Sequence, residues 1–361
     1  MIAIAPAFAR SYAQARIKFL EAAATASTRI ESHNHPLPGR EGEQLAMDVA
    51  LDGEPHAERL LIVTSACHGV EGYCGSGVQV FALHDAEWRA RARDAGVAVL
   101  YVHALNPYGF SHLRRVTQEN VDLNRNFHDF TRPLPDNPAY RAVHPLLLPE
   151  VWPPDEANRK AVQDFIAAHG VATWQAAISS GQHEFADGLF YGGRAPTWSN
   201  ATLRTVLAKH TSHARRIAWI DLHTGLGPSG VGERIWAGRD SAPDVARARR
   251  WWGEKITSIY DGSSSSPVLT GLMWESIHDA APQAEYTGIA LEYGTEPITE
   301  VLDALRGDHW LALHPDAPAA LAAQIKARVL AAFYTDTDAW KEQIIGQARQ
   351  ALFQAADGLG G

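Results

Sequence analysis

The sequence has 361 residues, of which 46% are hydrophobic and 20% are charged. This balance is that of a globular protein, and it excludes a chain that is mainly disordered, collagen-like or coiled-coil. With 32 basic and 41 acidic side chains the net charge is −9, so the chain lacks the basic surface that nucleic acids and anionic membranes require, and we expect neither as a partner.

The number of cysteines and the hydropathy of the chain indicate where in the cell the protein is located. The chain has two cysteines, Cys67 and Cys74, which is too few for a disulfide framework and favours a cytoplasmic location. No stretch approaches 18 consecutive apolar residues, so we expect no membrane-spanning helix. Residues 1–9 lack the basic start of a signal peptide, and we expect no secretion.

Apolar periodicity predicts helices and strands in alternation along the chain. A helical period predicts an N-terminal helix over residues 10–27, and period-two alternation predicts a strand over 45–51. Continuous apolar runs predict strands covered on both faces, at residues 60–66, 97–105, 217–222 and 288–293. Helical patterns lie at 77–95, 158–169, 198–210, 243–259 and 298–306, and a strand-like run covers 174–179.

This order of elements indicates an α/β fold with a layered sheet. Residues 317–356 predict two helices that close the domain. No linker divides the chain, so we expect one domain over residues 1–361, with its motifs within 60–300. The connection 106–157 is rich in Pro and Asn, and a segment of that length inside a compact domain is usually functional.

Two predicted strands are followed by residues that ligate metals. His68 and Glu71 follow the strand at 60–66, and His223 follows the strand at 217–222. Open α/β sheets bind ligands at the carboxyl ends of their strands, so these three residues are candidate ligands of a catalytic zinc ion. Asp221 either orients His223 as an outer carboxylate or, by alternation, points away.

Arginine and glutamate side chains are predicted to complete the site. Arg115 and Arg125 lie in the loop after strand 97–105, and guanidinium groups bind carboxylates and stabilise oxyanions. Glu292 lies in a buried type of strand, where an unpaired carboxylate is costly. Beside a water molecule activated by zinc, Glu292 would act as general base.

Three further residues, His183, Cys67 and Cys74, are of types that occur in active sites, but the sequence around them predicts a function less clearly. His183 follows the strand-like run 174–179 and is a candidate for lining the substrate pocket. Alternation places Cys67 opposite His68, so Cys67 and Cys74 are interpreted as small packing residues, although thiolates do bind zinc.

The order of these motifs resembles that of the zinc carboxypeptidases, the funnelins. The resemblance extends over roughly residues 45–300, and Arg115 precedes Asn124 by nine residues, as in that family. Several segments also look like a bacterial branch catalogued only as a domain of unknown function. The motifs are His68-Gly-Val-Glu71-Gly, Asn106-Pro-Tyr-Gly109, Asp122-Leu-Asn-Arg-Asn-Phe127, Gly188-Leu-Phe-Tyr-Gly-Gly193, Asp221-Leu-His-Thr-Gly-Leu-Gly227 and Ala290-Leu-Glu-Tyr-Gly294.

The resemblance implies a fold and a set of roles. The fold would be a twisted mixed sheet of about eight strands between helices. The roles would be zinc ligation by His68, Glu71 and His223, general base catalysis by Glu292, oxyanion stabilisation by Arg115, and binding of the substrate carboxylate by Asn124 and Arg125. The mobile tyrosine of that family has no clear equivalent in this chain.

The resemblance leaves alternative activities open. The first is a zinc-dependent, carboxypeptidase-like hydrolase of an amide next to a free carboxylate, in a small peptide or modified amino acid. The second is an N-acyl-amino-acid deacylase of the related aspartoacylase and succinylglutamate desuccinylase type. The third is a zinc-binding protein without catalysis, which we would expect to have lost Glu292 or a ligand.

Overall fold

The computed structural model describes residues 2–361. Within that range one sheet holds seven strands, which pair in the order β1-β2-β4-β3-β5-β7-β6. The strands are β1 (Arg29–Pro38), β2 (Gln44–Asp52), β3 (Arg59–Thr64), β4 (Val97–His103), β5 (Arg216–Ser229), β6 (Gly232–Trp236) and β7 (Glu285–Gly294).

The centre of the sheet is parallel and its edges are antiparallel. Strands β4, β3, β5 and β7 pair in parallel, whereas β1, β2 and β6 are attached by antiparallel pairing. Every residue of β4 is buried, because parallel strands are covered by helices on both faces. This explains why the central strands are continuous apolar runs in the sequence.

Helices cover both faces of the sheet. They are α1 (Tyr12–Thr25), α2 (Gly72–His84), α3 (Ala86–Asp94), α4 (Pro107–Ser111), α5 (Pro138–Leu147), α6 (Glu156–His169), α7 (Val171–Ser179), α8 (Trp198–His210), α9 (Ala242–Trp252), α10 (Ser276–Ala280), α11 (Ile298–Leu313), α12 (Ala319–Phe333) and α13 (Asp338–Gly360). Helices α1, α2, α3, α9 and α13 pack on one face, and α8 and α10 pack on the other. A third apolar cluster joins α5, α7, α11 and α12.

The predicted α/β fold with a mixed sheet between helices is confirmed, with seven strands in residues 2–361 instead of about eight. The strands β1 and β6 were not predicted, because β1 is largely exposed and β6 is short. The strand predicted over 174–179 is wrong, since these residues belong to α7. A six-residue run of mostly apolar or small residues cannot by itself distinguish a strand from a helix.

Two predicted helices have different bounds. The helix predicted over 77–95 is two helices, because Asp85 leaves the helical conformation and caps α3 through its carboxylate. The helix predicted over 243–259 ends at Trp252, where Gly253 has φ 98°. Over residues 2–361 there is no helix with the length and apolar character needed to cross a membrane.

Candidate metal centre

The carboxyl ends of the parallel strands bring the predicted site residues together. His68 follows β3, His223 lies near the end of the regular pairing in β5, and Glu292 lies in β7 directly opposite His223 in the register. Parallel strands end at the same edge of a sheet, so residues far apart in sequence meet there. This edge holds the candidate metal centre.

A second segment is held against the His68 loop by backbone hydrogen bonds. The amides of Gly69 and Val70 donate to the carbonyls of Arg115 and Arg114, at 3.1 and 2.9 Å. Gly69 allows this close approach, because a Cβ at that position would lie 2.1 Å from the carbonyl carbon of Gly109. The backbone therefore places Arg115 beside the metal ligands.

Asn106 shapes the turn that returns the chain to Arg115. Its side-chain oxygen accepts from the amide of Gly109 at 2.9 Å, and its side-chain nitrogen donates to the carbonyl of Arg115 at 3.3 Å. Asn106 of the Asn-Pro-Tyr-Gly motif thus fixes the backbone that carries Arg115.

Three predicted ligands converge as required for a metal ion. Nδ1 of His68 lies 2.9 Å from Oε1 of Glu71, and Nδ1 of His223 lies 3.0 Å from Oε2 of the same glutamate. One ligand atom from each residue falls within 4.8 Å of the others, and all three side chains are buried. Three protein ligands with an open fourth position are typical of catalytic zinc sites.

Two aspartates hold the other nitrogens of the two imidazoles. Nε2 of His68 lies 3.1 Å from Oδ1 of Asp122, and Nε2 of His223 lies 2.6 Å from Oδ2 of Asp221. A carboxylate on the far nitrogen fixes the ring orientation and leaves the near nitrogen for the metal. Of the two orientations considered for Asp221, the structure shows the one towards His223.

The charges of the site also fit a divalent cation. Among the residues that the structure describes, four buried carboxylates meet two guanidinium groups at the centre, namely Glu71, Asp122, Asp221 and Glu292 with Arg115 and Arg125. Burial lowers the pKa of His223, but Asp221 and Glu71 outweigh it and raise that pKa well above its usual value. The site thus attracts positive charge to the imidazole, where a metal ion would provide it.

The surroundings of Glu292 raise the pKa of its carboxyl group. Its Oε1 accepts from the amide of Leu226 at 3.0 Å. Burial, and then the negative charge of Glu71, raise the pKa of Glu292 from 4.5 to about 7. A carboxyl group with a pKa near neutrality can both take up and release a proton under physiological conditions.

Arg115 lies next to the metal ligands. Its Nε donates to Oδ2 of Asp122 at 3.1 Å, and its Nη1 donates to Oε1 of Glu71 at 2.9 Å. Burial lowers the pKa of Arg115, but Asp122 and Glu71 raise it above its ordinary value. The group is therefore a permanent cation at the predicted position.

Asn124 and Arg125 line the same cavity as Arg115 and Glu292. Oδ1 of Asn124 accepts from the amide of Met273 at 2.9 Å. Nε and Nη2 of Arg125 donate to the carbonyl of Ser179, and Nη1 donates to the carbonyl of Asn124 at 2.8 Å. A guanidinium has five N–H groups, so these contacts leave one on each terminal nitrogen of Arg125.

His183 lies apart from the other predicted residues. It lines a neighbouring groove with Arg141, Phe185 and Arg194, not the cavity that contains the metal ligands. Its Nδ1 donates to the carbonyl of Gly193 at 2.7 Å. The reason is that the preceding segment is helix α7, which changes the direction expected for a strand end.

The cavity beside the metal ligands has a volume of about 110 Å³. Its polar lining includes His68, His223, the two arginines and Glu292. Its apolar lining includes Trp219, Ile235, Leu269, Trp274 and Tyr286. Concave, largely apolar cavities with a few convergent polar groups are typical of small-molecule sites.

Two functional residues were not identified from the sequence alone. Asp122 contacts both His68 and Arg115, and burial raises its pKa while Arg115 and His68 hold it well below its usual value. Phe190 lies beneath the guanidinium groups of Arg115 and Arg125. The acidic residue in the Asp-Leu-Asn-Arg motif was an available signal for Asp122, and the motif Gly188-Leu-Phe-Tyr-Gly-Gly193 contains Phe190 but does not show that it lies beneath two arginines.

Comparison with known families gives one match along most of the chain. Residues 8–347 match the model of a family described as protein of unknown function, DUF2817. This agrees with the predicted resemblance to a branch of unknown function, whereas its bacterial origin and its relation to the aspartoacylases stay predictions. No curated protein matches the sequence.

Two solved structures are similar to this chain at low sequence identity. Carboxypeptidase A from Helicoverpa armigera is 12% identical, with a TM-score of 0.46 over 90% of this chain and 74% of that chain. Thrombin-activatable fibrinolysis inhibitor is also 12% identical, with a TM-score of 0.47 over 89% and 74% of the two chains.

Proposed function

Because this chain belongs to the DUF2817 family, whose description names no activity, we propose a function from the chemistry of the candidate metal centre. The protein is a zinc-dependent hydrolase of the metallocarboxypeptidase type. It cleaves an amide bond next to a free carboxylate in a small peptide or a modified amino acid.

One observation supports this proposal above the others. Glu292, whose pKa is raised to about 7, lies directly across the strand pair from His223, and both line one cavity with Arg115 and Arg125. A general base, a metal ligand and two guanidinium groups around one cavity are what hydrolysis of a carboxylate-ended amide requires.

Each residue has a role that follows from its position. The free N–H groups of Arg125, together with Asn124, bind the terminal carboxylate and orient the amide. An N–H group of Arg115 donates to the carbonyl oxygen as negative charge develops on it. Both arginines are held by neighbouring acceptors, so little motion is needed when substrate binds.

Glu292 moves the proton. Zinc held by His68, Glu71 and His223 would supply a Lewis acid that polarises the carbonyl and lowers the pKa of water towards about 7. Glu292 takes a proton from the attacking water and then gives it to the nitrogen of the leaving amine.

The direct test combines metal content with a matched substrate panel. Elemental analysis of protein purified without chelators is expected to give about one zinc ion per chain. Each peptide is assayed with a free C-terminal carboxylate and as the C-terminal amide, and N-acyl amino acids form a third set. Cleavage of the free-carboxylate peptides alone is the expected result.

Other outcomes distinguish the alternative activities. Cleavage of N-acyl amino acids alone would assign the deacylase activity, and zinc without turnover would assign a binding protein. A protein that contains no metal and binds none on addition of zinc would contradict the proposal at its first step.

A further inference from the structure

A second set of ligand-type side chains lies behind the metal centre. Cys67, Asp221 and His223 each offer one ligand atom, these atoms lie within 4.8 Å of one another, and all three residues are buried. His223 is the only residue that this set shares with the His68, Glu71 and His223 set. We propose that Cys67, Asp221 and His223 form a further metal site, which takes a thiophilic divalent cation such as Zn²⁺ or Cd²⁺.

The two nitrogens of His223 face different surroundings. Nδ1 points to Glu71 at 3.0 Å, whereas Nε2 points to Oδ2 of Asp221 at 2.6 Å. Either nitrogen of an imidazole can ligate a metal, and the partner of the other nitrogen decides which one does. Asp221 is therefore on the side of the ring away from the first site.

Asp221 is fixed by its surroundings as a ligand would be. Its Oδ1 accepts from the hydroxyl of Thr64 at 2.6 Å, and that hydroxyl accepts from the indole nitrogen of Trp219 at 2.9 Å. Hydrogen bonds to a ligating carboxylate hold it in one orientation. Asp221 and His223 also line the cavity, which gives an ion a path to the site.

The sulfur of Cys67 sets the class of cation. Cys67 is completely buried, and its side chain packs in the apolar cluster that contains Trp219. Thiolate sulfur is a soft ligand that selects zinc-like and softer cations over magnesium or calcium. Zinc sites are usually four-coordinate, so one sulfur, one carboxylate oxygen and one imidazole nitrogen would leave one ligand to be supplied by water.

Occupation of this site has a defined chemical balance. The cation displaces the thiol proton of Cys67 and the proton shared by Asp221 and His223, and both protons leave to solvent. No electrons are transferred. The site requires only these three residues, but one consequence rests on the proposed function: because Asp221 is withdrawn from His223, excess cation is expected to inhibit hydrolysis.

The test is a cadmium titration of protein freed of metal by a chelator and then dialysed. Cadmium bound to a thiolate gives a charge-transfer absorption band that cadmium bound to nitrogen and oxygen lacks. The band is expected in the unaltered protein, together with a second bound equivalent of Cd²⁺ by equilibrium dialysis. Cys67→Ser is expected to lose both the band and that equivalent, and to keep the first equivalent.

The other cysteine provides the matched control. Cys74 is also buried, at 1% exposure, and belongs to neither ligand set. Cys74→Ser is therefore expected to keep the band and both equivalents. Asp221→Asn keeps the thiol but removes a charged ligand, so the cadmium affinity measured from the band is expected to fall about tenfold or more.

His68→Ala separates this proposal from the proposed function, because it removes a ligand of the first site only. The band is expected to persist in His68→Ala even if the first site binds no metal. Cadmium binding without the band in the unaltered protein, or a band that survives Cys67→Ser, would overturn the proposal. Circular dichroism of each variant establishes that it is folded.

Discussion

The ring of Phe190 lies beneath the guanidinium group of Arg115, with 5.1 Å between the ring centroid and Cζ. Cζ of Arg125 lies 5.6 Å from the same centroid. Phe190 has a φ of 51°, in the left-handed region that costs a bulky residue energy. Such strain is retained where it positions a functional group, and here it places one aromatic face against two cations.

Replacement of Phe190 is expected to weaken substrate binding. Phe190→Leu keeps an apolar side chain but removes the aromatic face. A cation–π interaction with a desolvated cation is worth about 0.5–2 kcal/mol. We expect KM for free-carboxylate peptides to rise about 2- to 30-fold, measured by steady-state kinetics. Phe127→Leu is the control, because Phe127 is also buried and lies beneath Arg204, away from the cavity.

If the two leucine variants changed KM equally, the effect would be one of general packing. A larger effect on peptides with a free carboxylate than on their amides would assign the loss to Arg125.

Removal of the carboxylate of Glu292 is expected to abolish proton transfer. Glu292→Gln should reduce kcat by about 10²–10⁴-fold and leave the zinc content unchanged. Glu233 is the matched control, because it pairs with Glu292 in the register of β6 and β7 but does not line the cavity. A Glu292→Gln protein that kept kcat within about tenfold would show that another group is the base.

The raised pKa of Glu292 also predicts a pH-dependent stability of the metal-free protein. In the unfolded chain this carboxyl group has its usual pKa of 4.5, whereas in the folded protein the pKa is about 7. The raised pKa of Glu292 stabilises the folded protein fully below about pH 4.5, where both states hold the proton. This stabilisation is lost as the pH rises through about 7, because the unfolded chain releases its proton at a lower pH than the folded protein does.

Above pH 7 the free energy of unfolding is expected to be lower by on the order of 3 kcal/mol. Chemical denaturation with a chelator present should show Glu292→Gln becoming more stable than the unaltered protein as the pH rises from about 4.5 to about 8. A difference between the two proteins that is constant over this range would show that the pKa of Glu292 is not raised.

Arg125 is expected to distinguish free carboxylates from amides. Arg125→Ala removes a charge-assisted contact and should raise KM for free-carboxylate peptides roughly 10- to 100-fold, with less effect on amidated peptides. Arg306→Ala is the control for lost structural hydrogen bonds, because buried Arg306 also donates to backbone carbonyls, those of Leu146 and Leu147.

Both arginine variants should lower the midpoint of thermal unfolding, since each leaves backbone carbonyls without a donor. Equal changes of KM on the two substrate classes in Arg125→Ala would remove the carboxylate-binding role.

Metal binding is expected to depend on the two histidines. His68→Ala and His223→Ala should each contain less zinc than the unaltered protein, measured by elemental analysis after dialysis. His103 is the control, because it is fully buried but contacts the hydroxyl of Ser76 outside the site. A chelator should lower the unfolding midpoint of the unaltered protein, because metal binds the folded state only, and should not affect His223→Ala.

The central strands and the convergence of the candidate ligands could be predicted from the sequence because their signals are local. The runs that became β3, β4, β5 and β7 are apolar along their length, and residues that follow such strands meet at one edge by topology. The strand β1 was not predicted because its exposed residues show no alternating apolar pattern. The helix α7 was not predicted because it is too short to show a clear helical period.

The roles of Asp221 and Cys67 depended on tertiary structure. Alternation alone left two orientations for Asp221 and placed Cys67 opposite His68. The structure places Oδ2 of Asp221 2.6 Å from Nε2 of His223, and it brings the sulfur of Cys67 into the same group of ligand atoms. The chain leaves regular strand geometry at Ala66, with φ 57°, so the period of two no longer applies there.

The sequence by itself determined the α/β class, the apolar strands at the sheet centre and the residue types at its carboxyl edge, because hydrophobic period and residue chemistry are local properties. Tertiary structure decided which polar groups meet. It joined Asp122 to His68 and placed Phe190 beneath two arginines. It also separated His183 from the cavity. These relations depend on loop conformation and on packing between distant segments, and no short-range pattern in the sequence encodes either of them.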